Sequence, residues 1–322
     1  MLIAKAYGNS DKGLIRTNNE DAFIVQTIWD TNHWLLVVID GLGGYEGGEV
    51  AASIAKETIL HSVEEMKGRD CLDAIMQSVT DANNAIFNQR NNKEGLGDMG
   101  CVVTAAILDL EKRQLNVAHV GDTRLYQLDS NGLSKLTHDH SFVGTLEDEG
   151  RISEDDAMNH PRRNLIDRTV GDDLKDIDTP KFIEAAVFPV FKGNQYLLCS
   201  DGLSDMITSA EIDSILHKKT NLKNKVNHLI NSANNKGGKD NITVIVANII
   251  HKEYPNNVVC KNPVKSKKSK IKKRNNHKNE KLLSIQTQNE SKTFEILYKV
   301  GAIALIIVVI ILALILLTRS VL

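Results

Sequence analysis

Five apolar runs in the first 250 residues abut an aspartate: VVIDG at Asp40, AHVGD at Asp122 and LLCSDG at Asp201, with EDAFIV at Asp21 and DNITVIV at Asp240 placing the acid before the run. Short β-branched runs of this kind read as strands, and strand termini of a central sheet converge in space more readily than loop residues do. A chain built this way therefore has to accommodate several carboxylates in one place. Clustered carboxylates repel one another unless a cation compensates them. A donor set of hard oxygens, without histidine or cysteine, selects magnesium or manganese over zinc or copper. One such aspartate could equally cap a turn, but five in this arrangement point to bound metal. The glycine after Asp40 and Asp201 is expected to let the backbone turn sharply, with the Gly41 carbonyl left open as a further ligand.

Strands are predicted at 34–39, 101–108, 115–120, 196–199 and 242–249, and helical periodicity marks 49–66, 71–89, 209–217 and 222–233. Two helices follow one another after the second strand region, and later strands do not alternate strictly with helices. That order predicts an α+β layered sandwich over a doubly wound parallel sheet. The four cysteines, Cys71, Cys101, Cys199 and Cys260, include no CxxC pair. Zinc ligation or a disulfide framework would need clustering along the chain, so buried free thiols in a reducing compartment are expected.

The formal net charge of −2 conceals a division. Residues 1–250 hold 25 Lys and Arg against 37 Asp and Glu, whereas residues 251–322 hold 14 against 4. Within the basic part, Val300–Leu317 is an uncharged apolar run between Lys299 and Arg319. At helical rise it spans about 27 Å, close to the ~30 Å of a bilayer core. The lysine-rich stretch 261–292 before it shows no apolar periodicity and is expected to be disordered. Basic residues beside a span stay cytoplasmic, and the N-terminus lacks the apolar stretch of a signal peptide. The expected organisation is a catalytic domain at 1–250 inside the cell, a basic linker at 251–296, and one transmembrane helix at 297–319 that makes the protein single-pass. Nothing in the sequence calls for nucleic acid as a partner.

Taken in order, R-x-x-N-E-D (Arg16–Asp21), DGLGG (Asp40–Gly44), GDTR (Gly121–Arg124), SDGLSD (Ser200–Asp205) and DN (Asp240–Asn241) resemble the PPM, or type 2C, metal-dependent serine/threonine protein phosphatases of bacterial type. LTHDHS at 136–141 and HPRRNLIDRTVG at 160–171 agree, and the resemblance covers roughly residues 3–250. It implies an α-β-β-α layered sandwich, two antiparallel sheets flanked by helix pairs, with at least two Mg2+ or Mn2+ ions at one edge. Asp40 would bridge two metals with the Gly41 carbonyl completing one coordination sphere, and Asp201 and Asp240 would hold the other side. Asp21 would act largely through coordinated water, with Glu20 and Asn241 behind the ligands, and Asp122 matches a possible third metal site. Arg16 would bind the substrate phosphate while a metal-bridging water attacks phosphorus. Phosphorylated proteins are the implied partners, and the tether adds a membrane Ser/Thr kinase and its targets. The alternative is a catalytically weak or inactive phosphoprotein-binding regulator of the same fold. Leu42 and Tyr45 stand where some members carry histidine, so no leaving-group acid is assigned. His138 and His140 read as loop residues untied to the metal motifs, and 141–163 as a flap that shapes which phosphoproteins fit.

Overall fold

All five residues of the run Leu35–Ile39 are fully buried, which requires cover on both faces of the strand that carries them. In the computed structural model, which describes residues 1–43, 47–92 and 98–251, that cover is a helix pair on one face and a second sheet on the other. In chain order the elements are β1 (Leu2–Asp11), β2 (Ala22–Ile28), β3 (His33–Leu42), α1 (Gly47–Glu65), α2 (Cys71–Asn92), β4 (Gly100–Asp109), β5 (Gln114–Val120), β6 (Arg124–Asp129), β7 (Gly132–Lys135), α3 (Phe142–Asp148) and α4 (Glu154–Met158). There follow β8 (Glu184–Pro189), β9 (Gln195–Cys199), α5 (Asp201–Ser204), α6 (Ser209–Leu216), α7 (Leu222–Asn235) and β10 (Ile242–His251).

The strands form two five-stranded sheets, β1-β10-β9-β6-β7 and β2-β3-β4-β5-β8, antiparallel at every pairing. Side chains alternate between faces along a strand, and β3 shows the consequence. Leu35, Val37 and Ile39 pack with Ala55, Ile59 and Val63 of α1 and Ile75, Val79 and Ile86 of α2. Leu36 and Val38 turn the other way, into a core shared with Leu198 of β9 and Ile245, Ala247 and Ile249 of β10. A third cluster joins the outer face of the first sheet to α6 and α7 through Leu197, Val244, Ile212, Leu216 and Leu229. Three cores separate four layers, the sandwich expected from the sequence.

Four strands fall outside the predicted set: β1, β6, β7 and β8. In β8 every second residue is exposed, as suits an edge strand, and β7 has only four residues. The flap is not irregular loop, since it contains α3 and α4. Ser141 caps α3 by accepting from the Gly144 N–H, and Ser153 and Asp156 form a capping box on α4. No helix among the described residues is long and apolar enough to cross a membrane. The linker expected at 251–296, apart from His251, and the transmembrane helix expected at 297–319 lie outside the described residues, as do Tyr45 and Cys260.

Because Leu36 is fully buried between the sheets, Leu36→Ala should lower unfolding stability by about 2–5 kcal/mol. The measure is the denaturant midpoint at unchanged slope.

Candidate metal centre

Strand register brings the aspartates together. Ala22 pairs with Ile39, so Asp21 arrives beside Asp40 where β2 begins and β3 nears its end. In the other sheet Cys199 of β9 pairs with Val244 of β10 and with Arg124 of β6. That places Asp201, Asp240 and Asp122 just beyond three neighbouring strand ends. The two groups share a cleft with about 700 Å³ of open space, lined by Arg16, Glu20, Asp40, Gly41, Asp122, Asp201, Asp240 and Asn241. All the acidic residues singled out in the sequence line this cleft except Asp21, which approaches from behind through Ser200.

The backbone around the cleft is held by residues that tolerate no bulk. A Cβ on Gly41 would lie 2.2 Å from the Gly48 carbonyl oxygen and 2.5 Å from that of Glu20. One on Gly202 would lie 1.9 Å from the Asn241 carbonyl oxygen. Neither glycine has a positive φ, and Gly41 is still inside β3. The sequence expectation of a sharp turn is therefore corrected: these glycines permit close approach between segments. Asn241 ties the loop before β2 to β10. Its amide donates to the carbonyls of Lys12 and Asn18, both at 2.9 Å, and its oxygen accepts the Glu20 N–H at 2.8 Å. Arg16 donates to Asp240 Oδ2 at 2.8 Å and lies 4.0 Å from Glu20. Its side chain is 46% exposed, so the rest of the guanidinium fork faces the cleft mouth.

Electrostatically, Arg16 offsets only part of the negative charge of the cluster. Burial, then Asp21, Asp201, Asp122 and Asp240 in turn, hold the Asp40 carboxyl well above the usual carboxylate range. Asp201 is raised likewise, by burial and then by Asp122 and Asp205. Burial pushes Asp21 up to about 7 against the opposing hydrogen bonds of Thr243 and Ser200, and pushes Asp122 up to about 7 with Asp139 and Asp205 adding to it. Asp21 Oδ1 and Asp201 Oδ1 are buried oxygens without a hydrogen-bond partner. Buried orphaned carboxylate oxygens beside further carboxylates, with only oxygen donors at hand, fit hard divalent cations such as Mg2+ or Mn2+.

Several contributors are absent from the sequence reading. Asp205 stands one turn beyond Asp201, raises its neighbours, and pairs with Arg163 of the flap at 3.1 Å. Its signal was present as the last residue of SDGLSD, at i+4 from Asp201. Ser200 donates to Asp21 Oδ2 at 2.8 Å. The expectation that His140 is untied to the metal motifs is also corrected. His140 Nδ1 accepts the Gly121 N–H at 3.1 Å, beside Asp122, and its ring lies 4.8 Å from that of His119. His119 is neutral, pushed down to about 4 by burial. His138, by contrast, is exposed and pairs with Glu184.

A family model described as "Protein phosphatase 2C" matches residues 15–244. The chain is 36% identical over 241 residues to the serine/threonine phosphatase stp of Listeria welshimeri, covering 74% of this chain and 92% of that protein. It is 35% identical over 254 residues to the serine/threonine protein phosphatase PstP of Mycobacterium tuberculosis, covering 79% of this chain and 46% of PstP. Among solved structures it resembles the PstP catalytic domain in complex with two manganese ions, with a TM-score of 0.67 and 32% identity over 78% of this chain and all of that one. The Staphylococcus aureus phosphatase Stp1 gives a TM-score of 0.67 at 28% identity, covering 76% and 95%.

A carboxyl that titrates near 7 when folded but at its ordinary 3.8 when unfolded makes the folded state hold protons that the unfolded state has released. Without divalent cation, stability should therefore fall as pH rises from about 4 to about 7. Saturating Mn2+ should offset this, raising Tm more at about pH 7.5 than at about pH 5. Differential scanning calorimetry at the two pH values checks it.

Proposed function

The chain belongs to the protein phosphatase 2C family, and from that premise we propose that it hydrolyses phosphoserine and phosphothreonine on proteins by water attack at a pair of Mg2+ or Mn2+ ions, at the cytoplasmic face of a membrane. The chain is a metal-dependent serine/threonine protein phosphatase of that family. The observation that carries the reading is the convergence of four aspartates on a cleft with Arg16 at its mouth and Asp21 behind them, Asp21 and Asp201 each holding an orphaned buried oxygen.

Asp40, Asp201 and Asp240 would hold the ions directly with the Gly41 carbonyl, Asp21 one step behind them, and Asp122 with Asp205 at a further position. When bound, the ions lower the pKa of water and offset charge on the phosphoryl oxygens. The remaining steps fall to the chain's own residues. Asp240 holds one arm of Arg16, which leaves further N–H donors to receive phosphate oxygens in the planar geometry that lysine lacks. Asn241 and Glu20 fix the loop from which Arg16 projects. Water attack forms one P–O bond and breaks the ester P–O bond, releasing phosphate and the serine or threonine hydroxyl. Arg163 of the flap, with the adjacent Asn164, lines the adjoining part of the cleft, which supports a flap role in choosing phosphoproteins. The membrane location rests on the apolar run 300–317 and the basic stretch before it. A membrane Ser/Thr kinase and its targets would share that surface by proximity.

With Mn2+, the full chain should hydrolyse p-nitrophenyl phosphate and a phosphothreonine peptide, and EDTA should abolish both. Asp40→Asn with Asp201→Asn should cost at least ~100-fold in kcat, while Arg16→Ala should act mainly on KM. Turnover that survives EDTA or the double substitution would sink the reading. Separately, the full chain should fractionate with membranes and a chain ending at His251 should not, as read by immunoblot of the two fractions.

A further inference from the structure

At the end of β3 remote from the cleft, three potential metal ligands from three elements meet. His33 opens β3, Asp109 closes β4 directly opposite it in the register, and Cys71 opens α2. His33 Nε2 lies 3.7 Å from Asp109 Oδ2, Cys71 Sγ lies 3.9 Å from the same oxygen, and all three ligand atoms fall within 4.8 Å of one another. Cys71 and Asp109 are buried and His33 is partly so. Seven residues of strand separate His33 from Asp40, about 23 Å at strand rise, so this cluster is independent of the catalytic centre.

Two of the three ligands are oriented from behind. His33 Nδ1 donates to Asp30 Oδ1 at 2.9 Å, which turns the Nε2 lone pair toward Asp109. Asp109 Oδ1 accepts the backbone N–H groups of Glu111 and Lys112 at 2.9 and 2.8 Å. That leaves Oδ2 facing only the thiol and the imidazole. A carboxylate supporting the far nitrogen of a histidine, and backbone donors fixing the far oxygen of a carboxylate, are the outer-shell contacts that set metal ligands in place. With zinc bond lengths, a tetrahedral ion would set N···O at about 3.3 Å and S···O at about 3.6 Å. The His33–Asp109 and Cys71–Asp109 separations need to contract by only a few tenths of an ångström.

We propose that His33, Cys71 and Asp109 form a Zn2+ site with three ligands from this chain. Imidazole, thiolate and carboxylate together suit zinc, whereas the all-oxygen cleft suits Mg2+ or Mn2+. Binding releases the Cys71 proton to solvent, and the ion with one thiolate and one carboxylate is formally neutral. The ion ties the start of α2 to the ends of β3 and β4. The sequence reading set zinc aside because the cysteines are not clustered along the chain. The cluster exists only in the fold, one cysteine with a histidine 38 residues before it and an aspartate 38 residues after.

Cobalt titration of the purified full chain tests this. The expected result is a thiolate-to-cobalt charge-transfer band saturating at one equivalent and displaced by Zn2+. It should persist in the Asp40→Asn, Asp201→Asn double variant, vanish in Cys71→Ser, and need at least tenfold more cobalt in His33→Gln. Should Cys71→Ser fail to fold, the unaltered chain answers instead: Zn2+ should slow alkylation of Cys71 relative to Cys101 and Cys199, read by peptide mass spectrometry. No thiolate band, a band that survives Cys71→Ser, or alkylation of Cys71 indifferent to Zn2+ would overturn the site. It would leave His33 standing between Asp30 and Asp109 without an ion.

Discussion

Repulsion among carboxylates is the condition that the rest of this structure has to meet. Asp21, Asp40, Asp122, Asp201 and Asp240 are brought close enough that each raises the proton affinity of others, and a loosely held set would separate. Two sheets packed through a shared core keep the strand ends fixed. Asn241, Gly41 and Gly202 then remove the remaining freedom by binding loop to strand and allowing backbone to touch backbone. The fold places this carboxylate repulsion at strand ends held by two packed sheets, where divalent cations offset it.

The sequence exposed what is local and concealed what depends on register. Aspartates beside β-branched runs were legible, as were α1, α2, α6 and α7, whose apolar periodicity is strong. Strands β1, β7 and β8 escaped because an edge strand needs only one buried face, so its pattern is diluted with polar residues. Asp205 escaped as a second acid in a motif whose first acid already had a role. His119 and His140 are 21 residues apart and meet only because β5 and the segment after β7 fold back together. The two glycines were found at the right places for the wrong reason, since steric closeness between segments leaves no mark in a single segment's sequence.

The flap obeys different physics from the core. Its helices are short and its attachments are charged. Arg124, itself paired with Asp139 below the flap at 2.6 Å, holds Glu147 at 2.7 Å, Glu154 accepts from Ser209 at 2.7 Å, and Arg163 reaches Asp205. Buried pairs of this sort contribute little net stability over apolar contacts but fix geometry. A segment positioned by a few directional contacts can change sequence between them without disturbing the sandwich below.

Strand β10, the last element before residue 252, does not lie at an edge of its sheet. It sits between β1 and β9, pairing with β1 along its whole length. During synthesis, therefore, β1 leaves the ribosome some 240 residues ahead of the strand it pairs with. Asp240 travels just ahead of that strand, so the acidic cluster becomes complete only as the sheet closes. A nascent or truncated chain lacking β10 keeps most of the helices and one whole sheet, yet has neither a closed sandwich nor a full set of carboxylates. Completion of the fold and acquisition of chemistry are one event.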